Sequence, residues 1–166
     1  MSLNAASRCI VLVACLLSTT SAHALCTLVC SCSASTTSVV FAAHNPLSAS
    51  NNDSTGKVTV SCGGVAGLAI PYTVALGAGT NGTMAARKMA SGASRLNYNL
   101  YTTSGYATVF GDGSGSTATV GGNFLLNVLG TAPAQDIIVY ARIPGSQTSV
   151  APGSYTDTLV VTLTYF

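Results

Sequence analysis

Tyr155-Thr156-Asp157-Thr158-Leu159-Val160-Val161-Thr162-Leu163-Thr164-Tyr165-Phe166 is the stretch whose reading decides the fold. In an extended chain successive side chains point to opposite faces, so Leu159, Val161, Leu163 and Tyr165 share one side. Thr158, Val160, Thr162 and Thr164 share the other. Alternation rich in β-branched residues predicts a strand with one buried face over 155–166. No turn and no further strand follow in this sequence. Such a strand needs a neighbour from elsewhere in the chain or from another protein.

Working back from that strand, the same pattern recurs. Residues 57–62 alternate Val58, Val60 and Cys62; residues 70–76 alternate Ile70, Tyr72, Val74 and Leu76; residues 96–101 alternate Leu96, Tyr98 and Leu100. Further strands are expected over 31–43, 87–89, 106–110, 124–129 and 137–143. Asn45-Pro46, the polar run 48–56, Gly63-Gly64, the Asn81-Gly82 dipeptide and the run Gly111-Asp112-Gly113-Ser114-Gly115 separate them as turns and loops. No stretch sustains a helical period. Roughly seven or eight short strands in one domain predict an all-β sandwich or barrel.

The first residues read as a secretory signal over 1–24. Arg8 supplies the positive charge, Ile10 to Leu17 a short apolar run, and Ala22-His23-Ala24 a small-x-small cleavage site. A lipoprotein-type cleavage before Cys15 is disfavoured, because the apolar run ahead of it is short and continues past it. The domain expected over 25–166 carries Lys57, Arg87, Lys88, Arg95 and Arg142 against Asp53, Asp112, Asp136 and Asp157, with no Glu. That near balance gives no electrostatic reason to expect nucleic acid or anionic lipid as a partner. A surface built from Ser, Thr, Asn and Gly suits an exported structural protein.

Cys26, Cys30, Cys32 and Cys62 remain after such cleavage, and an even count in an exported chain favours disulfides. Four cysteines allow three pairings. We expect Cys62 to pair with Cys32, which heads the first strand, and Cys26 to pair locally with Cys30. A zinc site from Cys30, Cys32, Cys62 and His44 matches no finger or ribbon spacing. Catalytic provision is thin: His44 is the one histidine beyond the leader, and no nucleophile elbow or close carboxylate pair is present. Neither an enzyme nor a small-molecule cofactor is expected. Tyr98, Tyr101 and Tyr106 could form a sugar platform, but core and cross-strand packing is the better reading.

The motifs in order are Cys32, Phe41, Asn45-Pro46, Gly56-Lys57-Val58-Thr59-Val60-Ser61-Cys62 and Tyr72-Thr73-Val74-Ala75-Leu76-Gly77-Ala78-Gly79. Arg87-Lys88-Met89, Leu96-Asn97-Tyr98-Asn99-Leu100-Tyr101 and Phe110-Gly111-Asp112-Gly113 follow. Tyr140-Ala141-Arg142-Ile143-Pro144-Gly145-Ser146-Gln147 and Gly153-Ser154-Tyr155-Thr156-Asp157-Thr158 complete the set. Over residues 32–166 this order resembles the spore coat protein U domain family, which includes secreted pilins of archaic chaperone–usher pili. The resemblance implies an immunoglobulin-like β-sandwich lacking its final strand and completed by donor-strand complementation. It implies a periplasmic pilus chaperone, an outer-membrane usher and other pilus subunits as partners, with passage through the periplasm to a surface fibre for adhesion and biofilm formation. It implies a Cys32–Cys62 disulfide. It also implies an acceptor groove and chaperone contact formed by Leu159, Val161, Leu163, Tyr165 and Phe166.

One feature departs from a polymerising pilin. Residues 25–31 alone precede Cys32 after the expected cleavage, and they span at most about 25 Å. That is short for a donor strand, and it suits a minor or tip subunit. Two other readings remain: a stand-alone secreted coat or adhesin domain that binds a surface ligand, and an outer-membrane β-barrel ending in Phe166. The barrel ranks lower, because runs of four to six residues fall short of the roughly nine to eleven needed to span.

Overall fold

In the computed structural model the described residues are 30–166, and they form ten strands: β1 (Cys30–Thr37), β2 (Asn52–Gly64), β3 (Ala69–Leu76), β4 (Arg87–Ser91), β5 (Ser94–Tyr101), β6 (Val109–Phe110), β7 (Thr117–Ala118), β8 (Val120–Leu125), β9 (Gln135–Ile143) and β10 (Val161–Tyr165). Two sheets result. One runs β1-β2-β9-β5-β6-β7, with β4 also paired to β5; the other runs β10-β3-β8. All pairings are antiparallel except β6 with β7.

The alternation read in the sequence builds the core. Val58 and Val60 on β2, Leu96, Tyr98 and Leu100 on β5, and Ile137, Val139, Ala141 and Ile143 on β9 are buried from one sheet. Ile70, Tyr72, Val74 and Leu76 on β3, with Phe124 on β8, are buried from the other. All belong to one hydrophobic cluster. Each fully buried aliphatic side chain contributes about 1.5–3 kcal/mol, so this shared face holds the sheets together. The fold is an all-β, immunoglobulin-like sandwich.

Several boundaries differ from the sequence reading. Strand β2 starts at Asn52, inside the run expected to be a loop. Its first half pairs with β9 from Asn52↔Ile143 onward, and the Asp53 carboxylate takes a two-pronged hydrogen bond from Arg142, each contact 2.7 Å. Pairing on β9 thus overrides the weak strand preference of Asn, Asp, Ser and Gly. Strand β8 covers Val120–Leu125, earlier than expected, because Gly121 and Gly122 lie flat against β3; a Cβ on Gly122 would sit 2.8 Å from the Tyr72 ring. Asn81-Gly82 is no hairpin between paired strands, since β3 and β4 belong to different sheets. The Gly111–Gly115 turn is sharp, with Gly113 and Gly115 at positive φ, yet it joins the two parallel strands β6 and β7.

Strand β10 is shorter than expected. Tyr155 to Val160 first touches the other sheet, where Ala90 and Thr156 exchange backbone hydrogen bonds at 2.8 and 3.0 Å. The chain then crosses to β3, with the Gly77 N–H donating to the Val160 carbonyl at 2.9 Å. This crossing, together with the course of residues 38–44, positions the site.

Candidate functional site

Strand β10 pairs with β3 from Val161↔Leu76 to Tyr165↔Tyr72, and among the described residues no strand pairs with its other side. A row of backbone N–H and C=O groups along such an edge is a template for another strand. Leu159, Val161 and Leu163 pack against the core, while Thr162 and Thr164 are exposed.

The facing lip comes from the other sheet. Beyond Thr37 the chain leaves the β1–β2 ladder but stays beside β2. There the Ser54 hydroxyl donates to the Val40 carbonyl at 2.6 Å, and the Asn52 side-chain amide donates to the Ala42 carbonyl at 2.8 Å. Two side chains of β2 thus hold the lip by its carbonyls at residues 40 and 42. Close passage of this lip needs Gly56: a Cβ there would lie 2.8 Å from Val39 Cγ2 and 2.9 Å from the Thr37 carbonyl.

Between the two lips lies a cleft with two chambers. The first, about 410 Å³, is lined by Val58, Leu76, Leu100 and Val139 at its floor and by Val39, Leu159 and Val161 at its rims. The second, about 470 Å³, is lined by Leu96, Ile143 and Val150, with residues 39–44 on one side and Ala151 to Tyr155 on the other. The side chain of a strand laid along the lips would find an apolar floor.

Of the residues the sequence pointed to, Leu159 and Val161 line the first chamber. Leu163 packs on the core beyond it, and Tyr165 and Phe166 lie further along the edge, 36% and 47% exposed; the Phe166 N–H donates to the Pro71 carbonyl at 3.1 Å. Cys32 and Cys62 form a disulfide that ties β1 to β2 where the two residues are cross-strand neighbours. Cys30 is also disulfide-bonded; Cys26, its expected partner, lies outside the described residues, as do the leader over 1–24 and Cys15. Among the described residues no group of His, Cys, Asp and Glu could hold a metal ion. The three tyrosines do not form one platform. Tyr98 is buried under Phe41 in an edge-on contact, whereas Tyr101 and Tyr106 pack edge to face away from the cleft, with the Arg142 guanidinium 3.6 Å above the Tyr106 ring.

The sequence reading missed a polar anchor beneath the cleft. Arg87, read as part of a polar strand, has no exposed surface. Its guanidinium donates to the carbonyls of Gly77 (2.7 and 3.0 Å) and Phe110 (2.8 Å) and to the Asn99 side-chain oxygen (2.7 Å). Its alternation with buried Met89 was the available signal. Beside it, one Asp157 oxygen accepts from the Thr80 N–H and hydroxyl and from the Thr158 N–H, and the other accepts from the Tyr98 hydroxyl at 2.7 Å. Burial alone would raise the Asp157 pKa, but these hydrogen bonds outweigh it and hold the carboxyl below its usual range. Burial, reinforced by the hydrogen bond to Asp157, pushes the Tyr98 hydroxyl well up. Asp157 thus fastens the chain just before β10 to the 77–81 loop. A side chain on Gly79, at φ 82°, would collide with it.

The profile of the Spore Coat Protein U domain matches residues 16–162. Among curated proteins no match is found. One similar solved structure is the CsuC–CsuE chaperone–tip adhesion subunit pre-assembly complex from archaic chaperone–usher Csu pili of Acinetobacter baumannii, with a TM-score of 0.53 and 20% identity. That alignment covers 81% of this chain and 39% of the other, so this chain spans well under half the length of that relative. At this identity the likeness concerns the fold.

Proposed function

The chain belongs to the Spore Coat Protein U domain family, and from that premise we propose that it is a structural, non-enzymatic subunit of a secreted chaperone–usher surface fibre. In this reading an extended strand from a periplasmic chaperone, and later from another subunit, fills the cleft. The observation that carries it is the cleft between the outer side of β10, which no described strand pairs with, and the lip over residues 39–43 held by β2, with an apolar floor between them. Strand addition satisfies the open side of β10 through main-chain hydrogen bonds while alternate side chains fill the floor. The solved complex that shares the fold pairs a chaperone with a tip adhesion subunit, which supports the same class of partner here. Export through the periplasm to the cell surface, past an outer-membrane usher, is part of the proposal.

Residues 25–31, read as short for a donor strand, overlap β1, which already includes Cys30 and Ser31. On that basis we assign the chain an accepting role, consistent with a minor or tip position. The test is co-purification from the periplasm. The wild-type chain should emerge one-to-one with a soluble chaperone, and Val161→Asp and Leu163→Asp should abolish the complex. A wild-type chain that purifies alone as a stable monomer would instead favour a complete adhesin domain.

A further inference from the structure

Asn81-Gly82 is the one Asn-Gly pair in the sequence, and it sits in the loop that Asp157 clamps. The Thr80 hydroxyl donates to Asp157 Oδ1 at 2.7 Å. The Asn81 side-chain amide donates to the Thr80 hydroxyl oxygen at 2.8 Å and to Asp157 Oδ1 at 3.5 Å. Asn81 thus closes the clamp as a donor. Gly82 is dictated by packing, since a Cβ there would collide with the Ala86 carbonyl. Among the described residues the Gly82 N–H meets no acceptor. A glycine nitrogen with no side chain beside it and no hydrogen bond to hold it is the least hindered backbone nucleophile that a preceding Asn can meet.

We propose that Asn81 is a self-modification site: the loop deamidates there, and the new carboxylate opens the Asp157 clamp. The Gly82 nitrogen bonds to Asn81 Cγ, the Cγ–Nδ2 bond breaks, and ammonia leaves with the proton that the glycine nitrogen gives up. Water then opens the succinimide at one of its two carbonyl carbons, leaving aspartate or isoaspartate at position 81. No oxidant, reductant or second protein takes part. Either product replaces an amide donor by a carboxylate that faces acceptors. The Thr80 hydroxyl has already given its proton to Asp157, and the two carboxylates repel. Neither of the groups around Asp157 is free to compensate. The Tyr98 hydroxyl donates to the other Asp157 oxygen, and the Arg87 guanidinium, within electrostatic reach of Asp157, is bound to the Gly77 and Phe110 carbonyls. Isoaspartate also lengthens the main chain by one atom, next to a glycine with no room to move. Asp157 stands just ahead of β10, so the reaction loosens the approach to that strand whatever occupies the cleft.

The test uses the full exported chain purified from the periplasm and held warm at mildly alkaline pH for days. Peptide mass spectrometry follows the one-dalton gain at each Asn, and labelling by an isoaspartyl methyltransferase reports isoaspartate. Asn81 is expected to convert at least about tenfold faster than Asn97, Asn123 or Asn127, which precede Tyr, Phe and Val. Asn81→Asp, which imitates one product, should lower the melting temperature by about 3 °C or more. In an Asp157→Asn background, where the like charge is gone, the same substitution should lower it little. Should Asn81→Asp not accumulate folded, aged against fresh wild-type chain gives the same comparison. Conversion of Asn81 no faster than the other three overturns the site. Conversion with an unchanged melting temperature overturns the opening of the clamp. Either failure leaves the fibre reading standing.

Discussion

Arg87 shows how much can hang on one buried side chain. Its guanidinium donates to the backbone carbonyls of Gly77 and Phe110 and to the Asn99 side-chain oxygen, so it ties β4 to the end of β3, to β5 and to β6. Arg87→Ala leaves those carbonyls and Asn99 without their donor, and urea unfolding should show a loss of about 3 kcal/mol or more. Arg87→Lys should recover little of it, since an ammonium group cannot reproduce the planar fork. Asp157 makes a pH-dependent prediction. Its pKa in the folded chain lies below the unfolded carboxylate value, near 4. Its contribution is therefore complete above that value and is lost as pH falls through the folded one. The stability gap between wild type and Asp157→Asn should be widest near neutral pH and close as the medium is acidified. A gap that does not change with pH would mean that the carboxylate's charge plays no part. Neither residue was legible beforehand: a lone Arg in Arg87-Lys88-Met89 reads as surface, and only the carbonyls gathered around it by chain crossings make burial tolerable.

At the scale of elements, alternation was a good guide where both ends of a strand carry apolar residues. β3, β5 and β9 fall within a residue or two of the expected spans, because their inward positions are Ile, Leu, Val and Tyr, with Ala141 the one small residue among them. It failed where pairing rather than burial makes the strand. The start of β2 is held by β9 and by Arg142, and the glycines of β8 are demanded by the Tyr72 ring, so hydrophobic period says nothing of either. The lip over 38–44 depends on two devices that can be tested. Gly56→Val should push Val39 outward and weaken occupancy of the cleft in co-purification while leaving the Cys32–Cys62 disulfide intact. Replacing both cysteines of that disulfide by Ala frees a loop with a sequence separation of 30 and should cost roughly 3–4 kcal/mol in denaturant unfolding. A loss near zero would mean that the β1–β2 ladder alone holds the lip.

For the whole molecule, the two sheets enclose a core that is open along one seam. β1, through Thr36 and Thr37, and β10, through Val161, both reach its rim. Further along, the lips part, and the floor of Val58, Leu76, Leu100 and Val139 has only the cleft above it. The terminal alternation announced a strand with one inward face, and Leu159 and Val161, which line the first chamber, were legible from it. The opposite lip was less so, because Val39 and Phe41 are the two apolar landmarks in a stretch of Ser, Thr and Ala. Amide hydrogen exchange on the chaperone complex against the released chain tests the open seam most directly. Slowed exchange should appear in the complex at Val161, Leu163 and Tyr165, which alternate with the β10 positions bonded to β3, and within residues 39–43. Protection confined to other surfaces, or Val161, Leu163 and Tyr165 amides equally slow in the released chain, would contradict the open-seam reading.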